Sequence, residues 1–324
     1  MKLADYSSSY SDVAVHKLML QDVVRTEAYE RALEQVVRPG SKVMDFGCGT
    51  GVMSIFASRA GAAEVYAVDR SLFIQVARNI ARRNDIGNIY FYHDDHESLE
   101  LDTEVELIVS EWMGHFLFYE AMLAPLLAVR DRFLAPGGLM VPGKVSLYAG
   151  LVCDEYFHED LSYFRQRPYD IDFTDIAEVP LHQIEAENLL PHQILASTVP
   201  LGTLDLHTLE APPLELVGRV VPSREANIYA LCGWFEAHLT PSVRLGTGPA
   251  DPPTHWCQIL FPLTEPFAVS PSREVTVRIS PPQETGTGDL GWSWSIADDE
   301  QSIQITDLDH PRRLDPELPR GLLP

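Results

Sequence analysis

Two acidic side chains bracket an apolar stretch of this chain, Ser110-Glu111-Trp112-Met113-Gly114-His115-Phe116-Leu117-Phe118-Tyr119-Glu120. On one straight helix Glu111 and Glu120 would stand about 13.5 Å apart along the axis, too far to grip a single small group. A loop that doubles back brings them together. Two carboxylates in an otherwise apolar setting repel, and one of them takes up a proton unless a cation lies between them. The guanidinium of arginine is planar and permanently charged, and it offers forked donors to two carboxylates at once, so it is the natural occupant. One capping glutamate and one surface glutamate is the alternative that this loop alone leaves open.

A second constellation, Asp45-Phe46-Gly47-Cys48-Gly49-Thr50-Gly51, sits where a buried strand meets a helix. Open α/β sheets place ligands at that edge. A dinucleotide fingerprint needs a glycine five residues after the first, but that position is Val52, and the pattern is G-x-G-x-G behind an acidic residue. A carboxylate at Asp45 repels a pyrophosphate and suits a ligand bearing an ammonium group. S-adenosylmethionine fits this turn and a nicotinamide dinucleotide does not. Asp69 closes the following strand, where a carboxylate typically accepts both ribose hydroxyls. A tight strand-to-helix turn without a ligand is the competing reading.

The elements that must carry these residues are legible in outline. Short β-branched runs at 42–46, 64–68, 89–92 and 107–109 alternate with helical patterns at 51–60, 71–83 and up to Leu134, before Pro136-Gly137-Gly138. Such alternation predicts a Rossmann-like, doubly wound parallel sheet. After Pro142-Gly143 the texture changes to short alternating stretches such as 145–151 and 274–279, which predict an antiparallel β-barrel or sandwich. Between them, 155–187 carries Tyr156, Phe157, Tyr163, Phe164, Tyr169 and Phe173 without strand alternation, and reads as a helical or irregular inserted arm with apolar surface for a partner. The expected organisation is an N-terminal helical segment over 1–30, an S-adenosylmethionine-binding α/β domain over 31–142 and a β domain over 143–324, with Pro311–Pro324 as a frayed tail.

Composition narrows the function classes. The chain has 324 residues, 45% hydrophobic and 22% charged, which suits a two-domain globular protein. No window approaches the roughly 18 apolar residues of a membrane span, and the N-terminus lacks a signal-peptide pattern, so a cytoplasmic location is expected. Cys48, Cys153, Cys232 and Cys257 lie far apart without a C-x-x-C pair, so no metal site is expected and the thiols are read as free. The 24 basic and 47 acidic residues give a net charge of −23, which disfavours direct nucleic-acid binding and favours cationic partners. No lysine follows Lys144, so the imbalance is concentrated in the β-rich half.

Together these residues resemble the protein arginine N-methyltransferase family along nearly the whole chain. The similarity runs through Tyr6-Ser7-Ser8-Ser9-Tyr10, the segment from His16 to Thr26, the glycine turn, the two-glutamate loop, Arg130 to Gly138 and, far away, Thr254-His255-Trp256. The resemblance implies a Rossmann-like methyltransferase domain, a β-barrel and an arm that builds a head-to-tail homodimer. It implies a basic arginine-containing protein or peptide as substrate and S-adenosyl-L-methionine as cofactor. Position by position, Arg25 is expected at the methionine carboxylate, Asp69 at the ribose, and Tyr6, Tyr10 and His16 in a segment folding over the cofactor. Asp45, Gly47, Gly49, Gly51 and Met19 are expected around the cofactor, with Glu97 near the adenine. Glu111 and Glu120 would hold the substrate arginine, and Asp22 and His255 would pair. The Thr-His-Trp form and Met19 resemble the subgroup that makes monomethyl and asymmetric dimethyl arginine. Ser7 and His115 depart from the commoner phenylalanine and tyrosine, which leaves open methylation of free arginine or an arginine-containing metabolite; a weakly active scaffold is a separate alternative, against which the intact Glu111, Glu120, Arg25 and Asp69 speak.

Overall fold

The computed structural model describes residues 13–285 and 288–307, so the expectations for Tyr6, Tyr10 and the 311–324 tail lie outside the described residues. The chain divides into two compact units. One takes the residues through Ser146 with Thr203–Pro212 and Phe235–Cys257; the other takes Leu147–Gly202, Pro213–Trp234 and the residues from Gln258 onward.

The first unit is built on a five-stranded parallel sheet of β1 (Lys42–Phe46), β2 (Glu64–Val68), β3 (Ile89–Tyr92), β4 (Val105–Val109) and β5 (Leu134–Val141), in the order β3-β2-β1-β4-β5. The order reverses between β1 and β4, which opens a crevice at the carboxyl ends of the strands. Register decides what faces that crevice. Asp45 of β1 pairs across from Val109 of β4, and Phe46 from Val68 of β2, so the residues that follow, Asp69 and Ser110-Glu111, emerge at one edge with the glycine turn.

Helices α1 (Val13–Gln21), α2 (Val23–Val36), α3 (Val52–Arg59), α4 (Ile74–Arg83) and α5 (Leu123–Phe133) belong to the same unit. In α2 the buried positions are Arg25, Ala28, Tyr29, Ala32 and Leu33, the three-and-four spacing of one helical face. That stripe brings a charged residue, Arg25, into the interior beside apolar ones. Tyr29 and Leu33 are fully buried, as are Val43, Met44, Val65 and Ile108 of the sheet. The Pro136-Gly137-Gly138 segment, read from sequence as the stop after a helix, lies inside β5, and the pairing of β4 with β5 shifts register between Val105 and Leu107. A proline and two glycines are tolerated in this strand because it is the sheet's edge.

Further strands are β6 (Lys144–Val152), β7 (Glu185–Glu187), β8 (Ile194–Asp205), β9 (Leu216–Val220), β10 (Ala226–His238), β11 (Arg244–Gly246), β12 (Gln258–Val269), β13 (Val275–Ser280), β14 (Gln283–Thr285), β15 (Gly288–Leu290), β16 (Ser293–Ala297) and β17 (Ser302–Thr306). One sheet runs β7-β12-β10-β6-β8 with β11 on β10, and another, antiparallel throughout, runs β17-β16-β13-β9. Within the second unit, Leu161, Leu181, Leu189, Ala230, Cys232 and Leu260 form one buried cluster. The stretch read as an arm is α6 (Glu155–Leu161), short 3₁₀ turns, α7 (Thr174–Ala177) and then β7, with Tyr156, Tyr163, Tyr169, Ile171 and Ile176 exposed. No helix among the described residues is long and apolar enough to cross a membrane.

Close approach in the second unit occurs at Gly218 of β9, where a Cβ would stand 2.5 Å from both the Pro200 carbonyl oxygen and Val199 Cγ1. Backbone cannot yield there as a side-chain tip would. Gly218→Ala is expected to destabilise the chain by about 1–3 kcal/mol, read as a lower urea midpoint at unchanged slope; an unaltered midpoint would contradict this packing.

Candidate active site

The glycine turn is held by its neighbours before any ligand arrives. The amides of Gly47 and Cys48 both donate to the Val68 carbonyl, at 2.9 and 3.0 Å, and the Gly49 amide donates to Asp69 Oδ2 at 2.7 Å. Asp69 Oδ1 accepts from the Ser71 amide and hydroxyl at 2.8 and 2.6 Å, which fixes the carboxylate at the exit of β2. Gly47 and Gly49 have φ of 79° and 53°, a region other residues enter at a cost. A Cβ on Gly49 would stand 3.1 Å from His16 Cε1, so the turn passes directly beneath the His16 ring. That ring stacks on Phe73 with centroids 3.7 Å apart.

Asp45 is buried and accepts from the Ser54 hydroxyl at 2.6 Å. Burial is the main cause that pushes its carboxyl up to about 7; the Ser54 bonds oppose the shift and the charge of Asp69 adds to it. No ion pair to Asp45 is present among the described residues.

Across the cavity, Arg25 projects from the first turn of α2 and donates from Nε and Nη2 to Glu111 Oε2, at 3.0 and 2.6 Å. Its Nη1 donates to the Met19 carbonyl at 3.1 Å, and its guanidinium lies 5.9 Å from the centre of the Trp256 ring. Burial pulls the Arg25 pKa down, but the Glu111 charge and hydrogen bonds outweigh it and leave the net shift upward. Asp22 caps α2 by accepting the Arg25 amide at 2.9 Å through Oδ1. Its Oδ2 accepts from His255 twice, from the backbone amide at 2.9 Å and from Nδ1 at 2.8 Å. Burial pushes the Asp22 pKa up, yet these hydrogen bonds together hold it below the ordinary value.

The two-glutamate loop does turn back on itself. Gly114, Leu117 and Ala121 take φ of 47°, 62° and 52°, and the Leu117 amide donates to the Met113 carbonyl at 2.6 Å. A Cβ on Gly114 would stand 2.9 Å from Cγ and Oε1 of Glu120. Glycine at this position therefore lets Glu120 fold against the loop's own backbone.

His16, Met19, Arg25, Asp45, Gly47, Gly49, Asp69, Glu97, Glu111 and Glu120 all line one cavity of about 310 Å³. Gly51 does not; it is the left-handed N-cap of α3. Asp22 and His255 do not line the cavity either, and stand behind Arg25 as a bonded pair. Sequence reasoning passed over Ser54 and Ser71, which hold the two aspartates, and Trp256, which lies against Arg25. The signal for Ser54 was available, since it follows Asp45 into the next helix on the same ligand edge; Trp256 belongs to the Thr254-His255-Trp256 motif, but its contact with Arg25 is not visible in the sequence.

Comparison with known proteins agrees with this architecture. Residues 143–298 match the family described as the arginine methyltransferase oligomerization subdomain, and 26–141 match that of ribosomal protein L11 methyltransferase. A probable protein arginine N-methyltransferase 6.2 from Oryza sativa subsp. indica is 32% identical, covering 86% of this chain and 82% of its own length. The chain belongs to the protein arginine N-methyltransferase family. Protein arginine N-methyltransferase 1.1 of Arabidopsis thaliana is 30% identical over 94% of this chain and 81% of its own. Among solved structures, the Trypanosoma brucei PRMT1 enzyme–prozyme heterotetrameric complex with AdoHcy has a TM-score of 0.82 at 28% identity, covering 92% of this chain and 99% of that one. Arabidopsis thaliana protein arginine methyltransferase 10, at 21% identity and a TM-score of 0.79, shares the fold over 93% and 99% of the two chains.

The residues present suit the cofactor of this family. The methionine end of S-adenosylmethionine carries one carboxylate and one ammonium, and the cavity offers a buried guanidinium, Arg25, beside the exposed Arg70, and a buried carboxyl without an ion-pair partner among the described residues, Asp45. A volume of about 310 Å³ suits a nucleoside-sized ligand, and a side chain at Gly49 would crowd His16 where the turn meets the cavity.

The raised pKa of Asp45 has a stability consequence. The folded chain keeps a proton that the unfolded chain releases near its ordinary value of about 3.9, so stability falls as pH rises from there to about 7 and is flat beyond. Relative to wild type, Asp45→Asn is expected to gain stability across that window by up to about 1.4 kcal/mol per pH unit. Urea unfolding of both proteins at pH 5, 6 and 7 checks this, and a difference that does not change with pH would refute it.

Proposed function

We propose that this protein transfers methyl groups from S-adenosyl-L-methionine to a guanidinium nitrogen of arginine in basic proteins or peptides, giving monomethyl and asymmetric dimethyl arginine. The observation that carries this reading is the convergence of Glu111 and Glu120 on the cavity that also holds Arg25, Asp45 and Asp69. When bound, the cofactor supplies an electrophilic methyl group on a sulfonium.

The chain's own side chains then have separable tasks. Arg25 offers its guanidinium to a carboxylate, Asp45 its carboxyl to an ammonium, and Asp69 its carboxylate to ribose hydroxyls. Glu111 and Glu120 neutralise the substrate guanidinium and fix its plane, so that one terminal nitrogen is directed and the approach of two cations is not opposed by uncompensated charge. Arg25 keeps Glu111 Oε2 in place, which leaves Oε1, with only a 3.4 Å contact from the Met113 amide, turned to other donors. The methylated nitrogen must lose a proton, and because Glu120 lines the cavity while the Asp22–His255 pair does not, Glu120 is the favoured acceptor. Asp22 and His255 hold Arg25 and the Thr254-His255-Trp256 loop in register with it.

Dimethylation with asymmetric outcome is supported by Met19 in the cavity wall and by the Thr-His-Trp form of the second loop. A net charge of −23 favours encounter with basic segments. The exposed aromatic and aliphatic side chains of 155–187 support a head-to-tail homodimer, and four free thiols accord with a cytoplasmic location.

Mass spectrometry after incubation with an arginine- and glycine-rich peptide and the cofactor is expected to show one and then two added methyl groups, with neutral loss of dimethylamine from the second product. Symmetric product, or methylation of free arginine in preference to peptide in a competition assay, would overturn the finer assignment. Glu111→Gln is expected to lower kcat by about 10²–10³-fold while cofactor affinity stays within a few-fold by calorimetry; unchanged turnover would remove the role given to that carboxylate.

A further inference from the structure

His115 stands in the two-glutamate loop immediately after the glycine that backs Glu120, yet it does not line the cavity. Its Nδ1 lies 2.6 Å from the Trp256 carbonyl oxygen. A carbonyl can only accept, so Nδ1 carries the proton and the ring donates. Burial, the largest influence on this ring, lowers its pKa, so the imidazole is neutral and its one N–H is spent on that bond. The ring meets Tyr119 edge-on, with centroids 6.1 Å apart, on the residue next to Glu120.

This contact closes a circuit. Glu111 is bonded to Arg25; Arg25 lies in the first turn of the helix capped by Asp22; Asp22 is bonded to His255; and the adjacent Trp256 carbonyl is bonded to His115, which lies four residues from Glu111 in the chain. Three segments far apart in sequence are thereby tied at both ends. The His115 link ties the loop carrying Glu120 directly to the Thr254-His255-Trp256 segment. Two non-glycine residues in the left-handed region, Leu117 and Ala121, make that loop costly to hold and ready to relax when a tether is lost.

We infer that His115 is a positioning residue, whose Nδ1–H bond to the Trp256 carbonyl sets the placement of Glu120 in the substrate slot. The inference rests on the function proposed above for the two glutamates. It assigns a purpose to a residue that neither lines the cavity nor belongs to any acid–base pair.

The test uses the full-length protein and two readouts. Long-range nitrogen–proton NMR of the histidine rings, assigned with His115→Asn, is expected to show His115 as the neutral Nδ1–H tautomer; an Nε2–H tautomer would overturn the bond whether or not the protein transfers methyl groups. In peptide kinetics, His115→Phe is expected to lower kcat at least tenfold, with cofactor affinity by calorimetry unchanged within twofold. His115→Asn, whose amide nitrogen overlays Nδ1, is expected to restore kcat to within threefold of wild type, and His115→Gln, whose amide reaches the Nε2 position instead, is not. Wild-type kcat in His115→Phe, or equal losses in the Asn and Gln variants, would overturn the inference. Should the Phe variant fail to fold, the Asn and Gln pair carries the same comparison. A wild-type protein that transfers no methyl group at all would defeat the functional reading instead, leaving the tautomer measurement to judge the bond.

Discussion

Charge balance inside one cavity governs this structure. Asp45, Asp69, Asp94, Asp95, Glu97, Glu111 and Glu120 all reach it; among the described residues the buried cation beside them is Arg25, and Arg70, which also lines it, is exposed. Acidic groups gathered in this way repel one another and lose hydration, and a buried ion is tolerated only when paired and hydrogen-bonded. Arg25 answers for Glu111 with two hydrogen bonds to one oxygen. The Gly49 amide and Ser71 answer for Asp69, and for Asp45 the Ser54 hydroxyl does so, together with burial that raises its pKa to about 7. What remains is a site short of positive charge. A sulfonium ligand with an ammonium group, together with a guanidinium substrate, supplies what is missing, so the same imbalance selects what the cavity takes.

Geometry carries that balance outward from the sheet. Because β1 and β4 flank the reversal in strand order, both loops that bear carboxylates leave the sheet at its crevice, and the register places Asp45 level with Val109. The helix that supplies Arg25 is fixed at its own first turn, where Asp22 serves at once as helix cap and as partner of His255. One carboxylate thus couples a local requirement, an unsatisfied amide at a helix start, to a contact 233 residues away. Such double use explains why the pair can matter without touching the cavity. The same economy holds at Gly114, where a left-handed glycine turns the loop and also makes room for Glu120.

Much of this was legible before any coordinates. Strands 42–46, 64–68 and 89–92 were readable as apolar runs, and the helices between them by their spacing, because burial on a sheet or helix face imposes a period on the sequence. The loop from Glu111 to Glu120 was readable as one that must double back, since a straight helix would separate its acids. Two things were misread or missed for identifiable reasons. Pro136-Gly137-Gly138 breaks a helix but is tolerated in an edge strand, and only the sheet order shows that β5 is an edge. Gly51 belongs to the glycine motif by spacing, yet its left-handed φ of 76° serves the helix N-cap and its space is taken by Ala77.

By itself, then, the order of residues determined the chemistry: two acids on one loop, a glycine turn behind a carboxylate, and a strongly acidic chain suited to cationic partners. Those features are local or compositional, and local sterics and net charge do not depend on how distant segments meet. Tertiary structure alone decided which groups share the cavity and which stand behind it. It set Arg25 on Glu111 across 86 residues and His115 on the Trp256 carbonyl across 141, and it raised the pKa of Asp45 to about 7. Contacts of that range, and the burial that shifts a carboxyl's pKa, exist only once the strands are in register and water has been excluded, and so no spacing in the sequence could encode them visibly.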